Sequence, residues 1–417
     1  MNICNGRSCS HFAGNFRGFT LSLGLPILLA IAILVFVNPL KAISSIPVPT
    51  NSDWTPVVVS TLTPKAEPIL GTDGKYHVVY ELELTNTIRI PATIQQLEVV
   101  NGSNPAKVIA TYNDKDWSTR LRTLGNSSAS TPEIEFNGSR LFLIDLSFDY
   151  RRAVPSRLLH HFQGQLASVP SPSLPAALNY TVAPVTLTSQ IPIIGPPLAG
   201  KGWIAINGCC APNVGHRSTG LPVNGGIHFA QRFAIDWVKL DAQGRVVNGD
   251  VSNVKNYVGY GANVLAVAEG TVVDIFNTLF DQTPPNSPDP GTITLQNVLG
   301  NHVILDLGNS VFVLYAHLQK GSVTVKLGKR VRRGQVLGKL GNTGNTSAPH
   351  LHFHMMTGPT LGSEGIPYKI ERFNLAGQIP AAVFDFPEGE WNKYLLPQPS
   401  SRRDEFPLYL AIVDFPD

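Results

Sequence analysis

The chain has 417 residues, a length that predicts two or three domains at ~150 residues each. Charged residues make up 15%, below the ~25% of an average soluble chain, and 32 basic side chains face 29 acidic ones. That balance argues against a protein that coats a polyanion, so no nucleic-acid partner is expected. Four cysteines are too few for a disulfide scaffold.

The first segment reads as an address. Residues 19–37 are nearly all apolar, Arg7 and Arg17 precede them, and Ala42 offers a cleavage point. Residues 1–45 are therefore expected to be a signal peptide or, because the apolar run reaches the ~17–25 residues of a membrane span, an uncleaved N-terminal membrane anchor. Either way the remainder is expected to be exported, to the periplasm or cell envelope. Residues 54–189 then read as all-β. Tyr80, Leu82 and Leu84 alternate along one strand, residues 141–148 form another, and Asp73-Gly74 and Asn137-Gly138 mark turns. Short strands with spaced turns predict a β-sandwich-like domain. His160-His161 is read as a structural pair. With no catalytic set, this domain is expected to bind, space or position, and to be dispensable for chemistry on a small substrate.

Residues 190–200 form a proline-rich linker. From Lys201 the chain is again strand-rich, and seven of the eleven histidines appear: His216, His228, His302, His317, His350, His352 and His354. In Pro349-His350-Leu351-His352-Phe353-His354 a β-strand puts the three histidines on one face and Leu351 and Phe353 on the other. Three imidazoles make a poor apolar core but suit a metal or proton-transfer site. Residues 311–318 form an apolar strand ending in His317. Asp236 is a lone carboxylate in the apolar run 233–237, costly to bury unless it is paired or holds a metal. Glycine-bounded strands lie between these motifs. Residues 201–372 are assigned to this second domain and 373–417, with Trp391, Leu408, Tyr409 and Leu410, to an ordered C-terminal extension.

In this order, His, Asp, Tyr-Ala-His-Leu and Pro-His-Leu-His-Phe, residues 202–356 resemble the lysostaphin-type zinc metallopeptidases, bacterial cell-wall endopeptidases. The resemblance implies an antiparallel β-sheet peptidase domain with a groove. It implies one Zn2+ held by a His, an Asp and the second His of His-x-His, with two further histidines in catalysis. Carried over, Asp236 and His352 are metal ligands, and His317 and His350 are catalytic. The family's Glu after His-Leu-His-Phe is His354 here, read as structural. The first ligand usually stands four residues before the Asp. That position is Arg232, which stays protonated and cannot ligate. His216 and His228 remain. Asn224-Gly225 is a strong hairpin signal. A hairpin about it would return the chain with His216 opposite Phe233, beside the metal, whereas an extended strand would carry His228 more than ~25 Å from Asp236. His216 is therefore favoured.

The expected function is hydrolysis of peptide bonds in peptidoglycan cross-links. The alternative is a catalytically weak binding or regulatory protein of the cell envelope with the peptidase fold. Cys209-Cys210 is expected to be two thiols, since adjacent Cα atoms ~3.8 Å apart fall short of the usual disulfide span. The loop 279–291 is expected to wall the groove.

Overall fold

The computed structural model describes residues 52–125 and 127–417; the leader expected over 1–45 lies outside them. Residues 53–417 form one compact unit. Among the described residues, no helix is long and apolar enough to cross a membrane.

The N-terminal part contains β1 (Val57–Thr61), β2 (Tyr76–Asn86), β3 (Ala92–Asn101), β4 (Asn104–Tyr112), β5 (Ser139–Phe148), β6 (Arg157–Leu166) and β7 (Ala177–Leu187). One sheet runs β1-β2-β5 and the other β7-β6-β3-β4, with short strands at their edges. The two sheets share a core. Tyr80, Leu82 and Leu84 of β2 meet Leu97, Phe162 and Val185 from the opposite sheet, as their period-2 alternation requires. The described residues are nearly all β, with one short α-helix at Trp117–Arg120, and this part is a sandwich.

His160 of β6 is fully buried in that core. Its Nδ1–H donates to the Ala183 carbonyl at 2.7 Å, and Nε2 accepts from the Tyr80 hydroxyl at 2.8 Å. Both ring nitrogens are satisfied in the neutral form, and burial lowers the imidazole from 6.5 to about 4. Between those values the unfolded chain binds a proton that the folded chain does not. Stability conferred by the neutral ring is therefore present above pH 6.5 and lost as pH falls toward 4, by about 3 kcal/mol for this group. In urea unfolding, His160→Gln should show a smaller loss of stability than wild type between pH 7 and 4.5. Parallel pH curves for the two proteins would refute the assignment.

The C-terminal part is one large antiparallel sheet. Its longer strands are β8 (Gly200–Ile206), β11 (Ile235–Lys239), β12 (Gly270–Phe276), β13 (Asn301–Asp306), β14 (Phe312–Leu318), β15 (Leu351–Met356), β16 (Phe373–Gln378), β17 (Leu395–Arg402) and β18 (Ala411–Phe415), and two-residue strands at Arg330–Val331 and Gly365–Ile366 pair with β12 and β15. β9 (Leu221–Val223) and β10 (Gly226–His228) form a separate hairpin between β8 and β11. The sheet order is β12-β13-β14-β15-β11-β8-β18-β16-β17. Trp203, Trp237, Tyr315, Leu351 and Phe353 on one face build the main core. The opposite face carries two smaller apolar clusters, around Ile204, Ile206 and Val238 and around Ile304, Leu314 and Met356. Residues after 373 continue this sheet through β16, β17 and β18. The segment 190–200 is packed, not free: Ile194 and Leu198 are buried in the main core.

The second face of the β2/β5 sheet is covered as well. Leu141 and Leu143 of β5 pack with Phe229, and Val79 of β2 joins the main core. Glu81, which alternation alone would send to solvent, is completely buried there.

Candidate active site

Register assembles the site. β11 pairs with β15 so that Asp236 lies opposite His352, and β15 pairs with β14 so that His352 lies opposite Ala316. All three occupy the sheet face away from the main core, between its two smaller clusters. His350 stands two residues before His352, on the same side by parity. His317 would share the core face with Tyr315 under strict alternation. Its backbone instead takes φ 61°, a left-handed conformation rare outside glycine, and its ring reaches His350 at 4.8 Å between centroids. Such outliers gather at functional sites.

Asp236 is the hub. Its Oδ1 lies 2.9 Å from Nδ1 of His352 and 3.3 Å from Nε2 of His350. Its Oδ2 lies 3.3 Å from Nε2 of His216 and accepts from the Asn207 amide at 2.9 Å. The other ring nitrogens are held by neighbours: Nδ1–H of His216 donates to Ala234 O at 3.2 Å, that of His317 to Thr343 O at 2.7 Å and that of His350 to Ala348 O at 2.8 Å. Gly300 leaves room for the Thr343 carbonyl, because a Cβ there would meet that oxygen at 2.1 Å. Nε2 of His352 lies 2.9 Å from Nδ1 of His354. His354 is thus a hydrogen-bond partner of the central histidine, which gives it more than the structural part read from sequence.

Burial opposes ionisation of Asp236, but the imidazoles of His216 and His350 outweigh it and hold the carboxyl well below the usual carboxylate range. Burial and the neighbouring imidazoles of His350 and His352 push His317 well below its ordinary value. Burial also acts on His350, yet the Asp236 carboxylate overcomes it and raises that ring. Burial lowers His352 to about 4. Two adjacent histidines with opposite shifts suit an acid–base pair.

The ligand atoms of His216, Asp236 and His352 lie within 4.8 Å of one another, as do those of His317, His350 and His352. Two imidazoles and a carboxylate fit zinc. The second nitrogens of His216 and His352 are bonded to a carbonyl and to His354, the support that fixes the tautomer of a ligating histidine. His228 is not part of this group; its Nδ1 lies 3.0 Å from Glu364.

His216 arrives by a different route from the one expected. The Asn224-Gly225 turn forms, but the β9/β10 hairpin has only three pairs, Leu221↔His228 to Val223↔Gly226. His216 sits beyond it on a 3₁₀ turn, His216–Ser218, rather than on a ladder opposite Phe233. Cys209 and Cys210 are also corrected. They form a disulfide across a cis peptide with Cα atoms 3.0 Å apart, so the trans spacing behind the two-thiol reading does not apply. Sequence reasoning missed Asn207 and the buried ions Glu81 and Arg217, and met Arg232 only as a residue that cannot ligate, not as a buried ion. Nothing in their local patterns separates them from ordinary loop and strand-surface residues.

A cavity of about 390 Å³ opens over the cluster, lined by His216, His317 and His350 and by Ser287, Val298 and Leu299 of the long loop region. A second, of about 250 Å³, shares Asn207, Asp236 and His350 with it and is lined by Phe384, Phe386 and Tyr409. The groove therefore runs from the loop region past the histidines to the C-terminal segment.

Residues 252–363 match Peptidase family M23, and the chain carries a domain of this family. The matched stretch contains His317, His350 and His352; His216 and Asp236 precede it. The chain is 44% identical over 57 residues to peptidoglycan DD-endopeptidase ShyA of Vibrio cholerae, covering 14% of this chain and 13% of that one. It is 36% identical over 114 residues to glycyl-glycine endopeptidase ALE-1 of Staphylococcus capitis, covering 26% of this chain and 30% of that one. The chain thus spans less than a third of the length of either relative. Among solved structures, the catalytic domain of lysostaphin from Staphylococcus simulans is similar at 23% identity and a TM-score of 0.21, covering 35% of this chain and 80% of that one.

Proposed function

We propose that the protein is an exported zinc-dependent endopeptidase that hydrolyses peptide bonds of peptidoglycan cross-links. The observation that carries this reading is the convergence of His216, Asp236 and His352 on one face, with His317 and His350 beside them. The family match and the two endopeptidase relatives support the substrate class, and the basic, apolar N-terminal segment supports export; left uncleaved, that segment would tie the protein to the membrane.

His216, Asp236 and His352 would hold the zinc. The ion would supply Lewis-acid polarisation of the scissile carbonyl and a lowered pKa for the attacking water. The chain's own residues do the rest. Asp236 stays ionised and brings the negative charge that the cluster of imidazoles needs. Neutral His317, with Nδ1–H committed to Thr343 O, leaves Nε2 free to accept a proton. His350, raised by Asp236, holds a proton that it can deliver to the departing amine or direct at the oxygen where charge develops. The groove positions an extended peptide across these groups.

The test is digestion of isolated sacculi by the purified full chain, with zinc content measured on the same sample. The reading expects bound zinc near one equivalent, release of cross-linked peptides, loss of release with a chelator and its return on adding zinc. A zinc-free protein that leaves sacculi intact would favour the alternative, a binding or regulatory protein with this fold.

A further inference from the structure

A single 3₁₀ turn has no stability of its own, yet one carries His216. What holds it comes from the sandwich. Arg217, the next residue, is 1% exposed and donates to three atoms of the N-terminal part: Glu81 Oε1 at 2.5 Å, Tyr80 O at 2.9 Å and Ile144 O at 2.8 Å. The same Glu81 carboxylate accepts from Arg232 Nε at 3.0 Å and from its Nη2 at 2.6 Å. Arg232 lies two residues before Ala234, whose carbonyl accepts from Nδ1–H of His216. One buried carboxylate therefore pins both ends of the 217–232 excursion, next to the histidine and next to the carbonyl that orients it.

We infer that Glu81 and Arg217 are positioning residues for the metal site, and that docking of the N-terminal sandwich sets the affinity of the first ligand, His216. This rests on the reading of His216, Asp236 and His352 as metal ligands. Neither Glu81 nor Arg217 touches the site; both act through His216. It follows that a fragment beginning at Lys201 would lack the carboxylate that holds its own ligand loop, contrary to the expectation that the sandwich is dispensable for chemistry.

The decisive variants are R217M and R217K in the full chain. Glu81 keeps Arg232 in both, so its charge stays paired. R217K retains a cation but cannot span three acceptors in a fork. The measurements are Zn2+ and Co2+ affinity by chelator competition, the visible spectrum of the Co2+-loaded protein, and near-UV circular dichroism to confirm the fold. Loss of support for a ligand typically weakens metal binding ~10–100-fold. R217M should fall in that range with an altered Co2+ spectrum, and R217K should recover part of the loss. Should R217M fail to fold, R217K alone decides. Wild-type affinity and spectrum in whichever variant is folded would overturn the inference. If wild type itself binds neither metal, it is the reading of the site that has failed.

Discussion

His352→Ala should lose metal and turnover together, whereas His350→Ala should keep its zinc near stoichiometric and lose rate by about 10²–10⁴-fold, the range of a positioned acid–base group. The two lie on one side of one strand segment, but their surroundings differ. His352 is bonded to Asp236 and to His354, lies across the ladder from Ala316, and packs edge-on against the rings of His216 and His317. On the proposed reading its removal deletes one of three ligands, and it leaves His354 facing a void. His350 sits at the cavity with its Nδ1–H tied to Ala348. His354→Ala completes the series. Because His354 supports His352, it should weaken metal binding by about 10–100-fold. Zinc by mass spectrometry and turnover on a soluble muropeptide, taken on the same three proteins, separate these outcomes. Should His350→Ala lose its metal while His352→Ala retains it, the ligand and catalytic parts are exchanged.

Glu81→Gln should destabilise the full chain by about 3–5 kcal/mol, the cost of breaking a buried ion pair by removing one partner. Glu81 is fully buried, Arg217 and Arg232 nearly so, and the carboxylate is shared between the two guanidinium groups. Burial opposes its charge, but Arg232 and Arg217 together hold its pKa below the ordinary 4.5. The stabilisation is thus present above the ordinary value and lost as pH falls through the folded one. With glutamine in place, Arg217 faces two carbonyls and no counter-ion. Urea unfolding at pH 7 measures the effect, and a loss under about 1 kcal/mol would show that the interface does not depend on this carboxylate.

Much of the site was legible because its determinants are local. The alternation of His350, His352 and His354 with Leu351 and Phe353 states the strand and its faces. The lone Asp236 in an apolar run signals a buried charge with a purpose. What could not be read is pairing. That Asp236 lies opposite His352 is a property of register between strands more than a hundred residues apart. The left-handed turn at His317 is likewise invisible, because nothing in Ala-His-Leu requires it. The hairpin argument placed His216 near Asp236 through a ladder that stops after three pairs. Glu81 shows the same limit from the other side. A Glu between Tyr80 and Leu82 in an alternating strand reads as the solvent face, and only the docked second sheet makes it a buried ion.

The place of β18 in the sheet bears on how the molecule folds. β18 lies between β8 and β16 and pairs Val413 with Trp203, and Gly202 N–H donates to the Asp414 carboxylate across 212 positions of sequence. β8 is in turn the neighbour of β11, which carries Asp236. The sheet that carries Asp236 and His352 thus stays open on one side until residues beyond 411 have joined it. Closing so distant a contact is entropically slow. During that interval β8 exposes an unpaired apolar edge, the kind of surface that invites association between chains.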